Sequence, residues 1–188
     1  NAVARPCEAL KSKGVEVSIA PCDREGRLDF EAFQKLFNER TKLVVMSHAS
    51  NVSGTVLDAE TAGKICKQKG VYFALDAAQS AGVIDIDFEK FSLSALCITG
   101  HKGLLGPQGI GALLLTPKIA AEMEPLICGG TGSASHLITM PEFMPDKFEA
   151  GTLNLPGIIG LNAALRYIEE RTPAEIRKHE LELAAQFI

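Results

Sequence analysis

Short apolar runs and amphipathic stretches alternate along most of the chain. VEVSIA (15–20) alternates apolar with polar positions and is rich in β-branched residues, which predicts a strand. Asp29 stands before FEAFQKLFNE as an N-cap for an amphipathic helix. KLVVMSH (42–48) is a compact apolar run of the kind found in strands buried on both faces. Asp58 caps AETAGKICKQKG, a helix that stops at Gly70 in a C-cap position. VYFALD (71–76), SALCITG (94–100) and GALLLT (111–116) are three more predicted strands, the last ended by Pro117. Residues 128–152 are rich in Gly, Ser, Thr and Pro and read as a long loop, a class that in compact domains usually carries function. A helix then runs from Pro156 to about residue 170, with Ile158, Leu161, Leu165 and Ile168 on one stripe. Thr172 and Pro173 open a second helix as an N-cap and first-turn pair.

This rhythm predicts an α/β domain built on a mostly parallel sheet. Ligands in such sheets gather beyond the carboxyl ends of the strands. Three polar clusters fall at predicted ends of that kind: His48–Asn51, Asp76–Gln79 and Thr99–Lys102. Their placement singles out a candidate site before any single residue is considered.

Composition narrows the classes. The chain has 188 residues, enough for one domain with a real core. No apolar run is long enough to cross a bilayer, and the N-terminal NAVARPCEAL lacks the pattern of a secretory signal. A net charge of −4 with the two signs mixed gives no basic stripe for nucleic acid. The five cysteines, Cys7, Cys22, Cys66, Cys97 and Cys128, are at least fifteen residues apart, so no CxxC motif exists. Reduced, structural thiols in a cytoplasmic protein are expected. No histidine has a second ligand at metal spacing, so no metal site is expected; His48, His136 and His179 read as structural, loop and surface residues. The chain lacks an initial Met, opens inside a predicted helix and ends inside another, which reads as a stretch truncated at both ends.

The clusters have two readings each. Lys102 ends an apolar strand in a Gly-rich turn; it is either a solvated loop lysine or an amine that sheds water and protons and so can form a Schiff base. Asp76 follows VYFAL directly and is either a turn cap or a carboxylate with a cationic partner such as a pyridinium nitrogen. Thr99, Gly100 and His101 offer a hydroxyl, turn amides and an imidazole suited to a phosphate. GPQGIG (106–111) matches a dinucleotide fingerprint only superficially, because it precedes a strand and not a helix.

Taken in order and spacing, HASNVSGT (48–55), ALDAAQSAG (74–82), TGHKGLLGPQGIG (99–111) and KFEAGTLNLPGI (147–158) resemble the fold type I pyridoxal-phosphate enzymes of aminotransferase class V. The resemblance is strongest to the cysteine desulfurase and selenocysteine lyase group. It implies the large domain of that fold, a mostly parallel seven-stranded-type sheet, over residues 1–170. Residues 171–188 would then begin the helix leading to a small C-terminal domain. Lys102 is similar to the lysine that carries pyridoxal 5′-phosphate as a Schiff base and later moves the substrate proton. Asp76 matches the partner of the pyridinium nitrogen, and Gln79 the residue that bonds the ring 3-hydroxyl. Asn51 matches the asparagine near the ring and the substrate carboxylate, and Thr99 and His101 match the phosphate ligands. In this family the loop equivalent to Gly129–Ser135 reaches the neighbouring subunit's site, which puts Thr131 or Ser133 at the partner's phosphate.

The implied reaction removes sulfur or selenium from L-cysteine or selenocysteine and leaves alanine. A homodimer and a sulfur-acceptor protein are the implied partners, with no nucleic acid and no membrane. The family's substrate-binding arginine and sulfur-accepting cysteine have no counterpart motif among these residues, so no cysteine here is read as catalytic and the stretch alone is expected not to turn over cysteine. The alternatives are a class V aminotransferase or another pyridoxal-phosphate lyase, and a non-catalytic module for dimerisation or sulfur relay.

Overall fold

The computed structural model describes residues 1–187. The elements in chain order are α1 (Ala4–Lys11), α2 (Phe30–Lys35), β1 (Leu43–Ser47), α3 (Ala59–Lys69), β2 (Tyr72–Asp76), β3 (Ala95–Thr99), β4 (Gly111–Leu115), α4 (Pro117–Glu122), a 3-10 turn (Asp146–Phe148), α5 (Leu155–Arg171) and α6 (Pro173–Phe187). The expected α/β class holds, and the described residues supply four strands to it. Two compact units share these elements: Asn1–Ser80 with Ile86–Cys97, and Ala81–Asp85 with the chain from Ile98 on.

In the first unit β1 pairs with β2 and β2 with β3, both in parallel. Strand alternation sends Phe73 and Leu75 to one face, where both are fully buried, and Ala74 and Asp76 to the other. Phe33, Met46, Ala62, Ile65, Cys66, Leu93 and Leu96 complete this core. The helix ends follow local chemistry. Asp29 accepts a hydrogen bond from the Ala32 amide (3.0 Å) and Asp58 from the Thr61 amide (2.9 Å), as N-caps do. Gly70 closes α3 in the left-handed conformation (φ 67°) that glycine adopts without steric cost.

α3 approaches its neighbours closely enough that one position admits only glycine. A Cβ on Gly63 would fall on the Phe91 carbonyl and lie 3.1 Å from Cδ1 of Phe73. Relief would require the helix to move off the core. Gly63→Ala is therefore expected to lower stability by about 1–3 kcal/mol despite alanine's better helix propensity. A denaturant midpoint equal to wild type would contradict that packing.

One expectation is corrected. Residues 15–20 carry no regular structure; near them only Cys22 bridges Leu28 in antiparallel fashion. Alternation states which face a strand would bury, but a strand also needs a neighbour with free backbone groups. β4 ends before Pro117 as expected, and the same proline opens α4: Thr116 is its N-cap and accepts from the Ile119 amide at 3.5 Å.

The second unit holds the end of β3, β4, α4, α5 and α6, with Leu104, Ile119, Ala120 and Ile168 buried. Its long loop is tied down by polar groups. Lys147 is 3% exposed; its ammonium meets Glu142 (3.0 Å) and the Ala121 carbonyl (3.4 Å). Asp146 accepts from the Ser133 hydroxyl, and the Gly151 amide donates to the Gly130 carbonyl at 2.7 Å. Among the described residues no helix is long and apolar enough to cross a membrane.

Candidate active site

In the first unit the carboxyl ends of β1 and β2 stand in one row with the middle of β3. Register pairs Ser47 with Asp76 and Asp76 with Cys97, so their three side chains stand on the same face. Asp76 is half-buried. Its Oδ1 accepts from the Ala78 amide at 3.0 Å, and among the described residues nothing bonds Oδ2. One oxygen of this aspartate thus holds the turn, which is the capping reading. Loss of hydration, then the Asp76 charge, pushes the Cys97 thiol up, which keeps it neutral beside the carboxylate. Cys66, fully buried on α3, is pushed up to about 11 by desolvation, which suits an inert core thiol.

His48 sits just past β1 and is a core residue. Its Nδ1 lies 2.8 Å from the Ser80 hydroxyl, its ring meets Phe91 edge to face at 5.9 Å, and its amide donates to the Asp76 carbonyl at 2.8 Å. Burial holds its imidazole below the ordinary 6.5. The neutral ring is the folded form, so this group's stability contribution is complete above pH 6.5. It declines as pH falls from 6.5 towards the depressed folded value, because only the unfolded chain takes up the proton there. The expected result is a wild-type denaturation midpoint that drops from pH 7.5 to pH 5 more than that of His48→Gln. Parallel pH profiles would refute it. Asn51 and Gln79 are exposed, Asn51 in the turn after β1 and Gln79 three residues beyond Asp76, and neither side chain bonds another described residue.

In the second unit β3 ends at Thr99 and the chain turns through His101 and Lys102. Thr99 Oγ1 lies 3.1 Å from His101 Nδ1. The turn is closed by backbone bonds: the Gly100 amide donates to the Ile110 carbonyl (2.9 Å), the Gly106 amide to the Gly100 carbonyl (2.7 Å) and the Leu105 amide to the Lys102 carbonyl (2.8 Å). Missing side chains let it close. A Cβ on Gly100 would stand 2.6 Å from Ile110 Cγ2, and one on Gly103 2.6 Å from the Ala81 carbonyl. Leu104 is buried beside this framework, and Lys102 is exposed with no ion pair among the described residues. Exposure leaves the Lys102 amine hydrated, against the expectation that the turn would strip its water. Thr131, half-buried on its loop, turns its hydroxyl to the Ser133 carbonyl (3.1 Å).

The model for aminotransferase class V matches residues 1–188. The chain belongs to the aminotransferase class-V family. Within that family, a probable cysteine desulfurase of Methanothermobacter thermautotrophicus is 36% identical over 183 residues, which are 96% of this chain and 46% of that protein. Another from Pyrococcus abyssi is 39% identical over 92% of this chain and 43% of its own length. The apo structure of a Thermococcus onnurineus cysteine desulfurase superposes with a TM-score of 0.85 at 35% identity, over 96% of this chain and 46% of that one. The chain thus spans about half the length of the curated relatives it matches.

The role of one residue in the KFEAGTLNLPGI segment escaped the sequence reading. Asn154, the asparagine of the EAGTLN segment, caps α5 by accepting from the Gly157 amide at 3.1 Å and also donates to the Gly109 carbonyl at 3.1 Å. An N-cap signal was present in its position before Leu155–Pro156; the second bond spans 45 residues and has no local signature.

Proposed function

We propose that this chain forms the cofactor-holding part of a pyridoxal-phosphate-dependent cysteine desulfurase. The observation that carries the reading is the glycine-closed turn presenting Lys102, exposed and unpaired, directly after Thr99 and His101. The donor set fits the cofactor: an amine for its aldehyde, an open carboxylate oxygen for its ring nitrogen, and a hydroxyl, an imidazole and turn amides for its phosphate. The family and its cysteine desulfurase relatives agree with that chemistry, and one similar structure, SspA at 31% identity, was solved in complex with cysteine.

When bound, pyridoxal phosphate supplies an aldehyde that condenses with amines and a ring that accepts electrons from the substrate's Cα. In this reading Lys102 Nζ would hold the cofactor through its aldehyde carbon and, once free of it, would take the proton from the substrate's Cα. Asp76 Oδ2 keeps a proton on the ring nitrogen. Gln79 holds the ring hydroxyl, and Asn51 orients the ring and the substrate carboxylate. Thr99 Oγ1 and His101 hold the phosphate, joined by Thr131 from a second copy of the chain in a homodimer. L-Cysteine then loses its sulfur to a thiol and leaves as L-alanine; L-selenocysteine would lose selenium by the same route. A sulfur-acceptor protein would take up the sulfur.

The test is alanine release from L-cysteine by the natural protein loaded with pyridoxal phosphate. Cofactor-dependent alanine production supports the reading. Amino-group transfer to a keto acid without desulfuration would replace it by the aminotransferase alternative, and no cofactor-dependent turnover would end it.

A further inference from the structure

We propose that Asn154 is a positioning residue for Lys102, acting through the return arm of the lysine turn. The proposal rests on the cofactor reading of Lys102 above. One side chain makes two bonds in opposite directions. Its carbonyl oxygen caps α5 at the Gly157 amide, and its amide nitrogen donates to the Gly109 carbonyl. Gly157 is buried, and a Cβ there would collide with the Asn154 amide, so that glycine makes room for this orientation.

The strain-prone arm it holds is short. Gly109 has φ 77°, a conformation unfavourable to other residues, and its neighbour Ile110 supplies the carbonyl that accepts from Gly100. Gly100, two residues before Lys102, in turn accepts from Gly106. α5 also presses on the arm directly: a Cβ on Gly106 would stand 2.9 Å from Leu161 Cδ1, and one on Gly160 2.9 Å from Pro107 Cγ. Among the described residues, the Asn154 side chain makes the one hydrogen bond between the start of α5 and that arm. Losing it frees Gly109 to shift, and a shift reaches Lys102 through Ile110 and Gly100. Displacements of about an ångström at a reacting group cost on the order of a hundredfold in rate.

Asn154→Asp separates the two bonds. Aspartate caps a helix as well as asparagine does, but it has no amide proton for Gly109. Asn154→Ala removes both. In the natural protein loaded with pyridoxal phosphate, the aspartate variant should keep a wild-type thermal midpoint, while the alanine variant melts a few degrees lower from loss of the cap. Both should show the same displaced pH titration of the lysine-bound cofactor's absorbance, and kcat about ten- to a hundredfold lower with KM nearly unchanged. An aspartate variant with wild-type titration and kcat overturns the tether. So does a kcat loss that tracks melting temperature while the titration stays put. Absence of a borohydride-stable adduct at Lys102 in the wild-type protein is a different result: it overturns the cofactor reading and this proposal with it.

Discussion

Lys102→Ala should abolish the borohydride-stable cofactor adduct and lower cysteine-dependent alanine release by about 10²–10⁴-fold, the usual worth of a lysine or histidine that moves a proton in the transition state. The expected selectivity is the informative part. Lys102 is exposed and makes no ion pair among the described residues, so its removal should leave the denaturation midpoint within about 0.5 kcal/mol of wild type. Lys102→Arg sharpens the test. A guanidinium keeps the positive charge and can still contact a phosphate, but it does not surrender a proton to become a nucleophile. If Lys102 were only a solvated cation beside the site, arginine would retain most of the activity. If it bonds the cofactor, arginine should be as inactive as alanine. Peptide mapping after borohydride reduction should locate the adduct at Lys102 in the wild type and at no single position in either variant. An adduct that persists elsewhere with activity intact would remove Lys102 from the mechanism.

Much of the arrangement was legible in the sequence because it depends on local chemistry. Asp29, Asp58 and Gly70 bound their helices as caps, and apolar runs of six or seven residues located β1 to β4 within a residue or two. The polar residues that follow those runs, Asp76 and Thr99 to Lys102, stand at strand ends for the same reason. Thr116–Pro117 carries the same helix-opening signal as Thr172–Pro173, and both pairs open helices; a proline that ends one element can begin the next. What escaped was non-local. The clash that forces glycine at position 63 comes from Phe91, and the second bond of Asn154 comes from Gly109. The burial of Lys147 depends on Ala121 and Glu142, one of them 26 residues away. Nothing in the composition of those segments encodes such distances. The predicted strand at 15–20 failed on the same ground, since its pattern was right and its neighbour was missing.

Asp76→Asn decides between the turn bond observed for this residue and the ring-nitrogen contact proposed for it. Asparagine retains a side-chain oxygen for the Ala78 amide, so the turn after β2 should survive and stability should change little. It has no negative charge to keep a proton on a pyridine nitrogen. The surroundings cannot supply that charge instead. Ser47 is neutral, and Cys97, the other neighbour in the row, has a thiol held in its neutral form by lost hydration and by Asp76 itself. Removing a group that stabilises charge developing in the transition state typically lowers kcat by about 10²–10³-fold, and that is the loss expected for Asp76→Asn and Asp76→Ala alike. The adduct at Lys102 should still form in both, because bond formation at the aldehyde does not require the ring nitrogen to be protonated. Alanine at 76 should add a stability loss of about 1 kcal/mol for the turn bond, which separates it from asparagine in a denaturation curve. Near-normal turnover in Asp76→Asn would mean that the Ala78 bond is this residue's whole contribution, and that electron uptake at the ring is supported by some group other than the carboxylate at the end of β2.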